Sequence, residues 1–286
     1  MVRFRFLFLV QLYFWDDSHF NLTSSTQKLV TERMNFTKDL NKSSTMMKRL
    51  RRFISIVGVT VLQSPMSSSL AARTILITGA TDGIGQHTAK KLAADGNILL
   101  VHGRRPVVGA ELVADLKARG AKDVQYFNAD LADLEEVERL ADDVMASVNQ
   151  IDVLINNAGV FDPTPAKSAQ GYDMTWAVNV MAPFLLTRRL LPLVAKSQDP
   201  CPRIITTSSI SQSYALPPVQ ELFVKTASPK SAHRAYSDSK LGDHMLTVQL
   251  AKLLEREKKL SHVKCLTMDP GTVNTKMLLS GWGACG

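Results

Sequence analysis

The chain has 286 residues, of which 45% are hydrophobic and 21% charged, enough apolar material for one large globular domain or two small ones. Its net charge of +8 does not describe a nucleic-acid-binding surface, because residues 1–72 carry ten of the 34 basic and four of the 26 acidic side chains. Six of the eight positive charges therefore sit in the N-terminal quarter, which excludes nucleic acid as the expected partner and points to a tail.

That segment, residues 1–72, is read as an N-terminal extension that targets the protein or stays disordered. Phe4 to Trp15 is apolar but interrupted by Arg5 and Gln11. A second run, Phe53 to Leu62, follows the basic cluster Lys48, Arg49, Arg51 and Arg52 and precedes Ser64 and Ser67 to Ser69. Both fall short of the ~20 residues of a bilayer-crossing helix. The second has the layout of an organellar presequence. The expected location is a mitochondrion or other organelle if it is one, and otherwise the cytoplasm or a membrane surface held peripherally through this segment. Met46, Met47 and Met66 are alternative starts. The sequons at Asn21, Asn35 and Asn41 fit chance in a Ser/Thr/Asn-rich stretch.

From Arg73 the pattern changes. Short β-rich runs at 74–79, 97–102, 123–128, 151–156, 203–208 and 262–268 alternate with helical patterns near 84–95, 107–119, 133–148, 171–197 and 234–259. The alternation predicts βαβ units, and hence an α/β doubly wound parallel sheet flanked by helices, over residues 73–286.

The first strand runs into Thr78-Gly79-Ala80-Thr81-Asp82-Gly83-Ile84-Gly85. Glycines at a strand-to-helix turn let the backbone approach a pyrophosphate, whose charge faces the amides that open the helix. The spacing is GxxxGxG and differs from GxGxxG in both gaps. The second strand ends in His102-Gly103-Arg104-Arg105 where an acidic residue would favour NAD. Two guanidiniums suit a 2′-phosphate, so NADP is the expected cofactor and NAD the second choice. Asp130, followed by Leu131, follows the third strand and is placed to accept from an adenine amino group.

Tyr236 and Lys240 stand at i and i+4 on one helix face. An ammonium near a phenol stabilises the phenolate and lowers its pKa from ~10, which fits it for proton transfer to or from a substrate oxygen. Further polar strings end successive strands: Asn156-Asn157-Ala158-Gly159, Ser208-Ser209, and Pro270-Gly271 followed by Thr272-Val273-Asn274-Thr275. Asn179 sits within the helical pattern between the fourth and fifth strands. Doubly wound sheets bind ligands at these strand ends. The six histidines form no HExxH, and Cys201, Cys265 and Cys285 show no CxxC or Cys/His spacing, so no metal site and no disulfide framework is expected.

Residues 73–286 therefore resemble the short-chain dehydrogenase/reductase family, which carries the TGxxxGIG loop, NNAG, a helical Asn, Ser, YxxxK and PG in this order. The resemblance implies Tyr236 as acid/base, Lys240 as the residue that lowers its pKa and bonds the nicotinamide ribose, Ser209 as the partner of the substrate oxygen with Ser208 the second candidate, and Asn179 as the holder of a relay water. It implies cofactor contacts from Gly79, Thr81, Asp82, Gly83, Ile84, Gly85, Asn157, Ala158, Gly159, Pro270, Gly271, Val273 and Thr275. The long Ile210–Ala235 insertion, Arg234-Ala235-Tyr236 and the stretch Asp269 to Thr275 resemble the retinol-dehydrogenase-like branch, which usually has His where Asp269 stands. A small lipophilic carbonyl or alcohol substrate, retinoid-, steroid- or fatty-aldehyde-like, is the implied partner, in a monomer or homodimer. Family members continue past the PG motif into a further helix and a seventh strand. A chain ending at Gly286 is expected to lack that final strand, which leaves open a cofactor-binding sensor or partner subunit without turnover.

Overall fold

The computed structural model describes residues 72–164, 166–215, 231–277 and 279. The extension, its presequence-like run, its sequons and Cys285 lie outside them. Among the described residues there are six strands: β1 Thr74–Ile77, β2 Ile98–Gly103, β3 Asp123–Asn128, β4 Val153–Asn156, β5 Arg203–Thr207 and β6 Lys264–Met268. The helices are α1 Gly83–Ala93, α2 Pro106–Ala118, α3 Leu134–Ser147, α4 Met174–Ala195 and α5 Ala232–Arg256. All strand pairs are parallel, in the order β3-β2-β1-β4-β5-β6. The chain order reverses between β1 and β4, which opens a crevice at their C-terminal ends.

The strands read as Val/Ile/Leu runs because helices cover both faces. Side chains alternate along each strand. Leu76, Leu100, Leu154 and Ile204 join α3, α4 and the end of α5 in one core. Ile75, Ile77, Leu99, Val101, Val153 and Ile155 join α1 and α2 in the other. Each fully buried side chain of this size contributes roughly 1.5–3 kcal/mol.

Side-chain oxygens set where the helices start. Asp82 accepts from Gly83 N at 2.8 Å, Asp133 from Glu135 N at 2.9 Å, and Asp173 from Trp176 N at 2.9 Å, as N-cap residues do. The fourth strand begins at Val153 rather than Ile151, because Ile151 N is bonded to Leu193 O and the Asp152 carboxylate accepts from Thr74 N at 2.7 Å. The apolar run of α4 would by length and composition cross a membrane, yet over half of it is buried in the protein. Its turn Ala177–Met181 is π-helical, which period counting did not foresee. Among the described residues β6 lies at the edge of the sheet, and its Leu266 and Met268 stand 49% and 39% exposed.

Candidate active site

A cleft of about 1140 Å³ opens at the C-terminal ends of the strands. At one end lies the glycine loop. The Thr78 hydroxyl accepts from Asn157 N and Ala158 N, both at 3.0 Å, and Asn157 Nδ2 donates to Thr78 O at 2.9 Å. These bonds lock the ends of β1 and β4 together. Gly79 takes φ +65°, and a Cβ there would meet Ala158 Cα at 2.9 Å, so neither backbone conformation nor space admits a side chain.

His102 holds the loop from the other side. Gly79 N donates to its Nδ1 at 3.2 Å and its Nε2 lies 3.0 Å from Ala129 O, so Nε2 carries the proton. Burial pulls the His102 pKa down to about 4, and its ring is neutral at physiological pH. Nothing in the sequence pattern distinguished this histidine from an ordinary core residue.

Cations gather beside the loop. Arg104 Nη1 lies 3.8 Å from Asp130 Oδ1, and Arg105 Nη2 lies 3.7 Å from Asp82 Oδ2. Lys276, which the sequence did not single out, reaches back from beyond β6 to Asp82 Oδ2 at 2.8 Å. Its hydrogen bond is the chief cause that holds the Asp82 carboxyl below the usual carboxylate range. All three cations border the cleft.

At the other end α5 carries the tyrosine and lysine. Ser231 caps the helix by accepting from Arg234 N at 3.2 Å, which puts Tyr236 and Lys240 in its second and third turns. Both are buried, and Lys240 Nζ lies 5.7 Å from the Tyr236 ring centroid. That nitrogen donates to Thr207 O at 2.8 Å and to Asp243 Oδ2 at 2.9 Å. An ammonium has three donors, so among the described residues one is left for a ligand. Burial disfavours its charge, but Asp243 and Tyr236 outweigh this and the lysine pKa is raised. Phe161 packs against Tyr236, with ring centroids 5.8 Å apart.

The serine pair divides cleanly. The Ser208 hydroxyl is buried and donates to Lys240 O at 3.0 Å. Both serines border the cleft, but Ser209 is half-buried and shares its hydroxyl with Ser211 rather than with the backbone of α5. Ser209 is thus the serine whose hydroxyl is placed for a cleft ligand.

Two expected site residues do not border the cleft. Asn179, on the π turn, receives Val160 N at 2.8 Å and donates to Val160 O and Ser239 Oγ, both at 3.0 Å. Its amide ties α4 to α5 and to the segment after β4. Gly85 is buried in α1, where a Cβ would sit 2.3 Å from Gly79 O, so it sets how closely α1 approaches β1. The other expected site residues all border the cleft. The insertion after Ser209 begins with the 3-10 turn Ile210–Tyr214; Ala232 to Ala235 already belong to α5, and 216–230 lie outside the described residues. Among the described residues no three His, Cys, Asp or Glu cluster as a metal site, and Cys201 and Cys265 are free thiols.

The residues fit a dinucleotide with a 2′-phosphate. The N-terminus of α1 supplies amides, Arg104 and Arg105 supply cations at the far end, and Lys240 keeps a free donor at the near end. The Thr207 hydroxyl, on the cleft wall, is buried and has no partner among the described residues.

Known proteins match the chain at the level of family and fold. The short chain dehydrogenase family model matches residues 73–281. Human polyprenol dehydrogenase is 33% identical over 206 residues, covering 71% of this chain and 61% of the human protein. Human dehydrogenase/reductase SDR family member 13 is 31% identical over 218 residues, 75% of this chain and 56% of its own length. The chain thus spans less than two thirds of these relatives. Among solved structures, the Pseudomonas aeruginosa RhlG/NADP active-site complex superimposes with a TM-score of 0.59 at 28% identity, covering 74% of this chain and 77% of that one. The Escherichia coli oxidoreductase yciK gives 0.60 at 26% identity, with 74% and 80% covered.

Proposed function

The chain belongs to the short-chain dehydrogenase family, and from that membership we propose that it is an NADP-dependent oxidoreductase acting on a lipophilic carbonyl or alcohol. The observation that carries the reading is the cleft itself, with Tyr236, Lys240 and Ser209 at one end and Arg104 and Arg105 at the other. The printed name of the polyprenol dehydrogenases and the NADP in the RhlG complex support the substrate class and the cofactor.

A bound nicotinamide supplies or accepts the hydride. The Ser209 hydroxyl hydrogen-bonds the substrate oxygen and orients it. In reduction the Tyr236 phenol donates its proton to that oxygen, and in oxidation the phenolate takes one from the alcohol. Lys240, anchored by the Thr207 carbonyl and Asp243, favours the phenolate through its charge. Arg104 and Arg105 would hold the 2′-phosphate, and the amides opening α1 would hold the pyrophosphate. Asn179 keeps α4, α5 and Val160 in register around the tyrosine.

The test is incubation with NADPH and a panel of aliphatic, polyprenoid, retinoid and steroid carbonyls, beside Tyr236→Phe. NADPH oxidation on at least one substrate, lost in the variant, is the expected result. Tight NADPH binding with no turnover on any substrate sinks the proposal.

A further inference from the structure

Tyr236 and Lys240 are accompanied by a third ionisable group that the proposed mechanism uses only as an anchor. Asp243 lies one turn beyond Lys240 on α5, is 2% exposed, and directs Oδ2 at Lys240 Nζ from 2.9 Å. An anchor needs only a hydrogen-bond acceptor, which an asparagine supplies equally well. A carboxylate adds a negative charge beside the cation that is meant to stabilise the phenolate. In a buried site that charge is poorly screened.

We propose that Asp243 is a positioning residue that sets the proton affinity of Tyr236 through Lys240, by cancelling part of the ammonium charge the phenol feels. The proposal rests on the oxidoreductase reading for its consequence in catalysis, though not for its electrostatics.

The surroundings of Asp243 leave this pair in control. On α5 the charged and titratable neighbours are Lys240, Tyr236 and His244, whose pKa burial lowers. A small cavity of about 200 Å³ lies against Asp243 between α4 and α5. From α4 it is bordered by Arg188, which is exposed and so screened by water. From β6 it is bordered by Cys265, whose thiol burial pushes up to about 11 and which is therefore neutral. β4 and β5 contribute uncharged Asn156 and Thr206. Burial raises the Asp243 carboxyl to about 6 even though Lys240 opposes this. Its charge therefore develops within the pH range in which such an enzyme works.

The sign follows from the geometry. With Asp243 ionised, Lys240 stabilises the phenolate less. Asp243→Asn keeps an acceptor for Lys240 and removes the charge; with Lys240 still held as the ammonium by Tyr236 and the Thr207 carbonyl, the phenolate forms at lower pH. A drop of about one unit, tenfold more phenolate on the acid side, is the expected size.

Two readouts separate this idea from the activity itself. The first is the pH profile of alcohol oxidation by the full chain with NADP⁺, whose rising limb moves to lower pH by about one unit in Asp243→Asn. The second is titration of the phenolate absorption band, taken as the difference between each protein and its Tyr236→Phe counterpart, which needs no turnover. Asp243→Ser, smaller and also uncharged, serves if the asparagine variant does not fold, and Asp243→Glu keeps the charge and leaves both curves in place. A wild type without turnover overturns the oxidoreductase reading while the phenolate titration still decides this one. If activity falls equally at every pH and the phenolate titration does not move, Asp243 is merely structural and the inference is overturned.

Discussion

The two flanks of the sheet are built to different standards. On the β3-β2-β1 side, Leu99, Leu100 and Val101 are fully buried under helices on both faces. The glycine loop there is fixed by Thr78, His102 and Asn157, with glycines where a single methyl group would collide. On the β5-β6 side the outer strand alternates between half-covered and exposed, with Leu266 and Met268 open to solvent. The nucleotide end is thus a rigid mould, whereas among the described residues the outer edge at β6 has little cover. Cofactor affinity should depend on a few exact fits, whereas substitutions on the outer strand should matter little.

The sharpest division between binding and chemistry is expected from Tyr236→Phe. Turnover should fall about 1000-fold, while NADPH affinity by fluorescence titration stays within about twofold, because the phenol belongs to the catalytic side. A parallel loss of binding would mean the two ends of the cleft are not separable.

Next in size is the acid response of the rigid flank. Burial holds the folded His102 at a pKa of about 4, against an ordinary value of 6.5. The fold favours the neutral ring, so this residue costs nothing above pH 6.5. Below it the unfolded chain takes up a proton that the folded chain refuses, and stability falls by up to about 3 kcal/mol as pH drops towards 4. Denaturant midpoints across this range should fall more steeply in the wild type than in His102→Gln. Equal slopes would remove the histidine from the account.

Replacing Arg104 and Arg105 together with alanine should weaken NADPH about 30-fold, roughly 2 kcal/mol for lost charge-assisted bonds, and NADH far less. Equal weakening of both would mean the arginines do not read the 2′-phosphate. The smallest effect belongs to the open flank. Leu266→Thr should change stability by less than about 0.5 kcal/mol, whereas Leu154→Ala in the central strand should cost about 3 kcal/mol. A large loss at Leu266 would show that the outer strand is covered after all.

Much of this was readable before any coordinates. The six apolar runs and the helical patterns between them imposed the parallel sheet, since strands buried on both faces must be apolar throughout. Strand ends shifted by a residue or two where a side chain captured a backbone amide, as Asp152 does with Thr74 N. The site was legible where chemistry clusters in sequence, as at Tyr236 and Lys240. It was not legible where groups meet only in space. Lys276 finds Asp82 across 194 positions, and the Ser208–Lys240 bond that separates the two serines needs the helix beside the strand. Asp243 was visible three places from Lys240, but a helix carries many such pairs on solvated faces, and only burial distinguishes this one.

The π turn in α4 has a consequence for any attempt to edit the chain. Asn179 meets Val160 and Ser239, and Trp176 lies against Gly242, where a Cβ would approach within 2.9 Å. An α-helix bonds each N–H to the carbonyl four residues back and a π turn to the one five back, so the π turn Ala177–Met181 takes up one extra residue. Deleting one residue there would return the turn to α-helix with its flanks close to their present phase. The Asn179 amide would lose the bulged turn that aims it at Val160 and Ser239, although no side chain of the site had been altered. In this helix the number of residues, and not only their kind, sets where that amide stands.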